Sequence, residues 1–290
     1  MNDFVYRAYD QAALDEQYNA RRAVPAFGAF VQRWQRTSEQ VTQEFSCTLD
    51  VPYGDSPVEM LDIFHPSGGG PAPILVFFHG GYWRAGDKSW FRFLARPFVE
   101  RGAVFVIPKY GLCPAVEMDD LVEQCRRAVA WTFRNAGEFG GDCARLFVSG
   151  HSAGGQIAGM MVATDWAATT CLPANAIKGA TGISGLYDLE PIRLSNANEP
   201  LGLSNESADR NSPAKLPLPI IPPASILAFG SLESQEYERQ TAAYADVLRN
   251  AGGAPVSMAV EGHHHFSILD AFGNPQHRLG RAVLAQLELA

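Results

Sequence analysis

The most constraining feature of the sequence is a short glycine-bounded run set between two unlike patterns. Arg145-Leu146-Phe147-Val148-Ser149 reads as a strand, Gly150-His151-Ser152-Ala153-Gly154-Gly155 follows, and Gln156-Ile157-Ala158-Gly159-Met160-Met161 reads as a helix. A chain that passes from strand to helix in so few residues must turn sharply. Glycines two places before and two after Ser152 leave room for strand and helix to approach, and the strained backbone angles fall on the serine at the tip. The turn also sets Ser152 at a helix N-terminus, where unpaired N–H groups and the helix dipole favour developing negative charge. A glycine-rich turn with an incidental serine would not need both flanks, so Ser152 is the expected nucleophile.

The rest of the chain supports such a turn. Phe45–Tyr53 and Val58–Phe64 read as antiparallel strands around Gly54-Asp55-Ser56-Pro57. Ile74–Phe78 is a continuous apolar run, as expected of a strand buried on both faces. Similar runs follow at Ala103–Ile107, Leu146–Val148, Ala180–Ile183, Ile226–Phe229 and Val256–Val260. Helical patterns fall at roughly 88–100, 117–136, 153–163, 234–251 and 276–288. Strands alternating with helices predict an α/β fold, with a mostly parallel central sheet covered on both faces. In such sheets active residues sit after the carboxyl ends of strands. Residues 10–44 read as helix with a break at Pro25, and Phe27, Phe30, Val31 and Trp34 share one face. The stretch 187–223, rich in Pro, Ser and Asn, is long for a connection and is expected to form a lid or cap beside the site. Residues 1–44 are expected to contribute to that cap, and 1–290 to form one domain.

Charge and cysteine usage narrow the class. A net charge of −8 disfavours a nucleic-acid partner, which needs a basic stripe against phosphates. No apolar run approaches a membrane span, and Met1-Asn2-Asp3-Phe4-Val5-Tyr6-Arg7 lacks the order of a signal peptide, so no membrane association is expected. Five widely spaced cysteines, none in a CxxC pair, read as reduced thiols of a cytoplasmic protein. The sequence leaves the oligomeric state open, with a homodimer among the assemblies it allows.

The partners of Ser152 are sought after the other strands. His79-Gly80-Gly81-Tyr82-Trp83 follows Ile74–Phe78, and its glycines let N–H groups face a substrate. Gly81 and Tyr82, with Ala153 after the serine, are the expected oxyanion donors, and His79 is expected to orient the loop. The base should follow the last strand, where Glu261-Gly262-His263-His264-His265-Phe266 stands. His265 is the expected base, with His263 second. Adjacent histidines point in different directions and have no acidic or cysteine cluster at ligand spacing, so no metal is expected. The acid should follow Ser225–Phe229, where Glu233 stands; Asp188, after the preceding strand, is the alternative, and Glu236 a third.

The His-Gly-Gly-Tyr-Trp segment, the Gly-His-Ser-Ala-Gly turn and the His265-Phe266-Ser267 ending together resemble the kynurenine formamidase (arylformamidase) branch of the α/β-hydrolases, related to hormone-sensitive-lipase-like esterases. Gln17-Tyr18-Asn19-Ala20-Arg21 and the segment from Glu233 to Gln240 also resemble that branch, and Glu233 matches its catalytic acid. The similarity runs from about residue 15 to the end. It implies an α/β-hydrolase fold and a serine-dependent hydrolase without cofactor, cleaving a small-molecule formamide or amide of the N-formylkynurenine type. A short-chain carboxylesterase uses the same residues and is the alternative; a non-catalytic binding module on this scaffold is a third reading. Tyr18 and Trp83 lie in motif segments and are the expected substrate-binding aromatics, ahead of Tyr110, Trp166 and Tyr187. Arg21 or Arg22 could meet a substrate carboxylate, although a solvated helix face accounts equally for both.

Overall fold

Eight strands join in one sheet in the order β1-β2-β4-β3-β5-β6-β7-β8 in the computed structural model, which describes residues 4–219 and 221–289. Met1, Asn2, Asp3, Ile220 and Ala290, and with them the start of the N-terminal reading and one position of the 187–223 stretch, lie outside the described residues. The strands are β1 (Cys47–Pro52), β2 (Met60–Phe64), β3 (Ala72–Phe78), β4 (Val104–Pro108), β5 (Gly141–His151), β6 (Ile177–Ile183), β7 (Ala224–Gly230) and β8 (Val256–Val260). The β1-β2 hairpin pairs antiparallel with itself and with β4, and every pairing from β4 onward is parallel.

The apolar runs fill the middle of this sheet because both of its faces are covered. Every residue of β3 and β4 is buried. Side chains alternate across the sheet, so Ile74, Val76 and Phe78 join one core and Leu75 and Phe77 the other. Helices Met118–Asn135, Ala153–Ala163 and Gln235–Asn250 pack on the first face. Phe27–Glu44, Ala95–Val99, Ile268–Phe272 and Arg278–Gln286 pack on the second. The two edge strands are partly exposed, and β1 alternates along its length.

Several elements depart from their sequence-based boundaries. The 88–100 segment is a 3₁₀ helix over Lys88–Leu94 followed by a short α-helix, and Lys88 is held by the Asp50 and Asp62 carboxylates at its start. The 187–223 stretch holds short helices at Glu190–Leu194 and Asn205–Arg210 that sequence periodicity cannot register at such length. Residues 10–44 divide into Gln11–Gln17, Ala20–Ala23 and Phe27–Glu44, with the last break at Pro25. Among the described residues no helix is long and apolar enough to cross a membrane.

Parallel strands put their carboxyl ends on one edge of the sheet. The segments after β3, β5, β7 and β8 therefore converge, and they carry His79–Trp83, Ser152, Glu233 and His265 respectively.

Candidate active site

Ser152 sits between β5 and the helix Ala153–Ala163 with φ 58° and ψ −119°. That conformation is costly for a residue with a side chain, and the surroundings enforce it. Its N–H donates to the Ile183 carbonyl at the end of β6, 2.8 Å away, and its carbonyl accepts from Gly155 N–H at 2.8 Å. The flanking glycines are required by contact. A Cβ at Gly150 would lie 1.9 Å from the Gly154 carbonyl oxygen, and one at Gly154 would lie 2.0 Å from that of Phe78.

The loop after β3 passes directly over this turn. A Cβ at Gly80 would lie 2.9 Å from the His151 carbonyl oxygen. Gly81, Tyr82 and Trp83 all take positive φ, an uncommon conformation for the two aromatics. Among the described residues no acceptor takes the N–H of Gly81 or Tyr82. Ala153 opens its helix, so its N–H also has no partner within the helix. His79 fixes the loop from behind. It is buried between the rings of Phe91 and Tyr110, its Nδ1–H donates to the Gly80 carbonyl at 2.9 Å, and Tyr110 Oη–H donates to its carbonyl at 2.6 Å. Burial holds the His79 pKa below the usual histidine range.

His265 and Glu233 meet on the far side. His265 Nδ1 lies 2.5 Å from Glu233 Oε1, with both side chains almost wholly buried. The other carboxylate oxygen, Oε2, accepts from Ser184 Oγ–H at 2.7 Å and Gly230 N–H at 2.6 Å. Glu233 is thus saturated with donors on three sides. A glutamate reaches here because the loop after β7 is tight, with Glu233 N–H bonded back to the Gly230 carbonyl at 3.0 Å. The alternatives are engaged elsewhere. Asp188 pairs with Lys215 and caps Glu190, Glu236 is clamped by Arg239 and Tyr18, and His263 Nδ1–H donates to the Ser267 carbonyl.

His151, the residue before the serine, has a role the motif does not announce. It is buried, and its Nε2–H donates to the His265 carbonyl at 2.7 Å. Burial, aided by the neighbouring His265, pushes its pKa well below the usual range, so it stays neutral.

Ser152, His151 and His265 line one cavity of about 50 Å³, together with Gly80, Gly81 and Tyr82. Its remaining wall is aromatic, from Phe27, Trp34, Trp90, Phe91 and Phe266, with Arg21 also lining it. Tyr18 and Trp83, expected to touch substrate, do not line it. Trp83 is fully buried, and its Nε1–H donates to Gln156 Oε1 at 2.9 Å, locking the loop onto the helix after Ser152. Tyr18 is buried too. Its Oη–H donates to Glu236 Oε2 at 2.6 Å, and its carbonyl accepts from the Tyr82 hydroxyl. Both aromatics have their polar ends satisfied inside the protein, which turns them away from the site. Tyr110, Trp166 and Tyr187 are likewise buried. The lining aromatics Phe27 and Trp34 belong to the helical face read from the sequence, where a stripe facing a cavity looks the same as one facing core.

Comparison with known proteins agrees with this arrangement. The α/β hydrolase fold family model matches residues 75–212, from β3 through the serine turn. Kynurenine formamidase of Danio rerio is 33% identical over 99% of this chain and 99% of its own length. This chain belongs to the kynurenine formamidase branch of the α/β-hydrolases. The kynurenine formamidase of Salmo salar is 34% identical over 82% of this chain and 81% of its own. Among solved structures, a putative thioesterase from Silicibacter sp. TM1040 superposes with a TM-score of 0.81 at 25% identity, covering 92% of this chain and 97% of that one. The chain is a hydrolase by this membership, and its small-molecule substrate class follows from the family.

Proposed function

We propose that this protein is an arylformamidase that cleaves the formyl group from an aromatic amine of the N-formylkynurenine type. The observation that carries the reading is the 2.5 Å contact between His265 Nδ1 and Glu233 Oε1 at the wall of the cavity that holds Ser152. Full-length similarity to formamidases supports the choice of bond. The aromatic wall of that cavity suits an aryl leaving group.

In this mechanism Glu233 holds the Nδ1–H tautomer of His265, leaving Nε2 to accept the Ser152 proton. Ser152 Oγ bonds to the formyl carbon, and the oxyanion takes N–H donors from Gly81, Tyr82 and Ala153. As the C–N bond breaks, His265 returns the proton to the departing arylamine. Water, deprotonated by His265, then attacks formyl-Ser152, releases formate and restores the serine. Every proton and electron pair is supplied by these residues, substrate and water, so the reaction asks for no cofactor. The described residues of 1–44 and 187–223 act as the cap, the helices Ala20–Ala23 and Phe27–Glu44 closing the aromatic side. The five thiols, free among the described residues, suit work in the cytoplasm.

Purified protein assayed with N-formylkynurenine and with short p-nitrophenyl esters tests the reading, with Ser152→Ala as control. Formamide turnover that disappears in Ser152→Ala is expected. Turnover of esters alone would overturn it in favour of a carboxylesterase, and failure of a fluorophosphonate to label Ser152 in folded protein would favour a binding module.

A further inference from the structure

The cavity wall contains two donors that the chemistry at Ser152 does not use. Arg21 is the only Asp, Glu, Lys or Arg among the described residues that line the cavity. It forms no ion pair among the described residues, although its neighbour Arg22 pairs with Glu16. Its guanidinium lies 4.8 Å from the centre of the Phe27 ring, and that ring packs 4.6 Å from Phe266, the residue after the base. In a protein of net charge −8, a cation without a carboxylate partner at an apolar mouth is unusual. Partial burial and the like charge of Arg84, from the loop carrying Tyr82, both depress the Arg21 pKa, so the site gains from an incoming anion.

The second donor is Trp34. It also lines the cavity and is 3% exposed, and its Nε1–H has no acceptor among the described residues. A buried indole N–H without an acceptor costs free energy unless a ligand supplies one. Neither residue lies within 75–212, the portion that matches the general hydrolase model. Both belong to the helices that close the aromatic side of the site.

We infer that Arg21 and Trp34 form a leaving-group subsite that selects aromatic substrates bearing a carboxylate and a neutral oxygen acceptor. The inference rests on the formamidase reading, and it adds which residues read the leaving group. The arylamine ring lies along Phe27 and Phe266, the carboxylate meets the Arg21 guanidinium at the rim, and the neutral oxygen accepts from Trp34 Nε1–H. The formyl group then lies against Ser152 in the same cavity.

Steady-state kinetics with two formamides separate the alternatives: N-formylkynurenine, which carries both acceptors, and formanilide, which carries neither. Arg21→Ala is expected to lower kcat/KM for N-formylkynurenine about tenfold or more, mainly through KM, and to change formanilide by less than about twofold. Arg21→Lys should recover part of the loss. Raising the salt concentration should raise the N-formylkynurenine KM of the wild type and leave that of Arg21→Ala flat. Trp34→Phe, which keeps a ring and removes the N–H, should lower kcat/KM for N-formylkynurenine about fivefold and spare formanilide. Equal losses on both substrates would overturn the subsite, because they would mean packing rather than recognition. Wild-type protein inactive on both formamides but active on esters would instead overturn the formamidase reading.

Discussion

His151 holds the main chain of His265: its Nε2–H donates to the His265 carbonyl at 2.7 Å, and the two rings lie 4.7 Å apart. The residue that precedes Ser152 thus fixes the segment that carries His265, across 114 positions of chain. His151→Ala leaves that buried carbonyl without its donor and loosens His265 relative to Ser152. A fall of about tenfold in kcat with little change in KM is expected, as for the loss of one buried hydrogen bond in a positioning role. His151→Gln, which can still donate, should recover part of it. A KM effect without a kcat effect would place His151 in binding instead.

Ser184 is the third support of the Glu233 carboxylate. It lies just after β6 with a φ of 50°, and its hydroxyl donates to Glu233 Oε2 at 2.7 Å. Glu233→Gln keeps the shape but removes the charge that stabilises the imidazolium, so kcat should fall by about 10³ to 10⁴. Ser184→Ala removes one of three donors to the carboxylate and should cost only about threefold to tenfold. Single-turnover rates on a chromogenic ester measure both. Equal effects from the two substitutions would mean that Glu233 is not the acid.

The aromatic residues divide according to what their polar ends touch. Trp83 donates to Gln156 Oε1, and Gln156 Nε2–H in turn donates to the Asn211 carbonyl at 2.8 Å. This chain ties the loop after β3 to the helix after Ser152 and to the 187–223 stretch. Trp83→Phe strands the Gln156 oxygen in the interior and should lower unfolding stability by about 1–3 kcal/mol, while KM stays near wild type. Trp90→Ala, in the cavity wall, should do the reverse: a raised KM with a smaller stability loss. Urea denaturation paired with KM measurement distinguishes them.

The sheet and Ser152 were legible in the sequence because each rests on a local signal. β3 and β4 are apolar on both faces, and steric contact excludes any side chain at Gly150 and Gly154. The choice among Glu233, Asp188 and Glu236 was open in the residues, since all three are carboxylates after strands or at helix starts; only the fold shows Lys215 and Arg239 engaging the other two. The cavity wall was less legible still. Tyr18 and Trp83 stand in motif segments because they brace the loops, whereas Trp34 and Phe27 lie in an ordinary amphipathic stripe. Sequence proximity to a motif reports what holds a site together as readily as what touches the substrate. His151 was hidden for a similar reason, because its partner is a carbonyl, which has no residue signature.

Acid should weaken the fold before it protonates many carboxylates. His79 and His151 are fully buried, and burial lowers both pKa values in the native state. In the unfolded chain each titrates near the ordinary value of about 6.5. Below that pH the unfolded state therefore binds protons that the native state does not, and stability falls as pH falls, until the native pKa of each histidine is reached. The slope is up to about 1.4 kcal/mol per pH unit for each histidine. At lower pH a second loss follows in the same direction, because Asp87 and Asp119 have lowered native pKa values and bind protons more readily when unfolded. Urea midpoints should fall from pH 7.5 to 6.5 and more steeply from 6.5 to 5.5. His151→Gln should reduce the drop between pH 6.5 and 5.5, because it removes one of the titrating groups. A midpoint constant down to pH 5.5 would show that both rings accept their protons without opening the site.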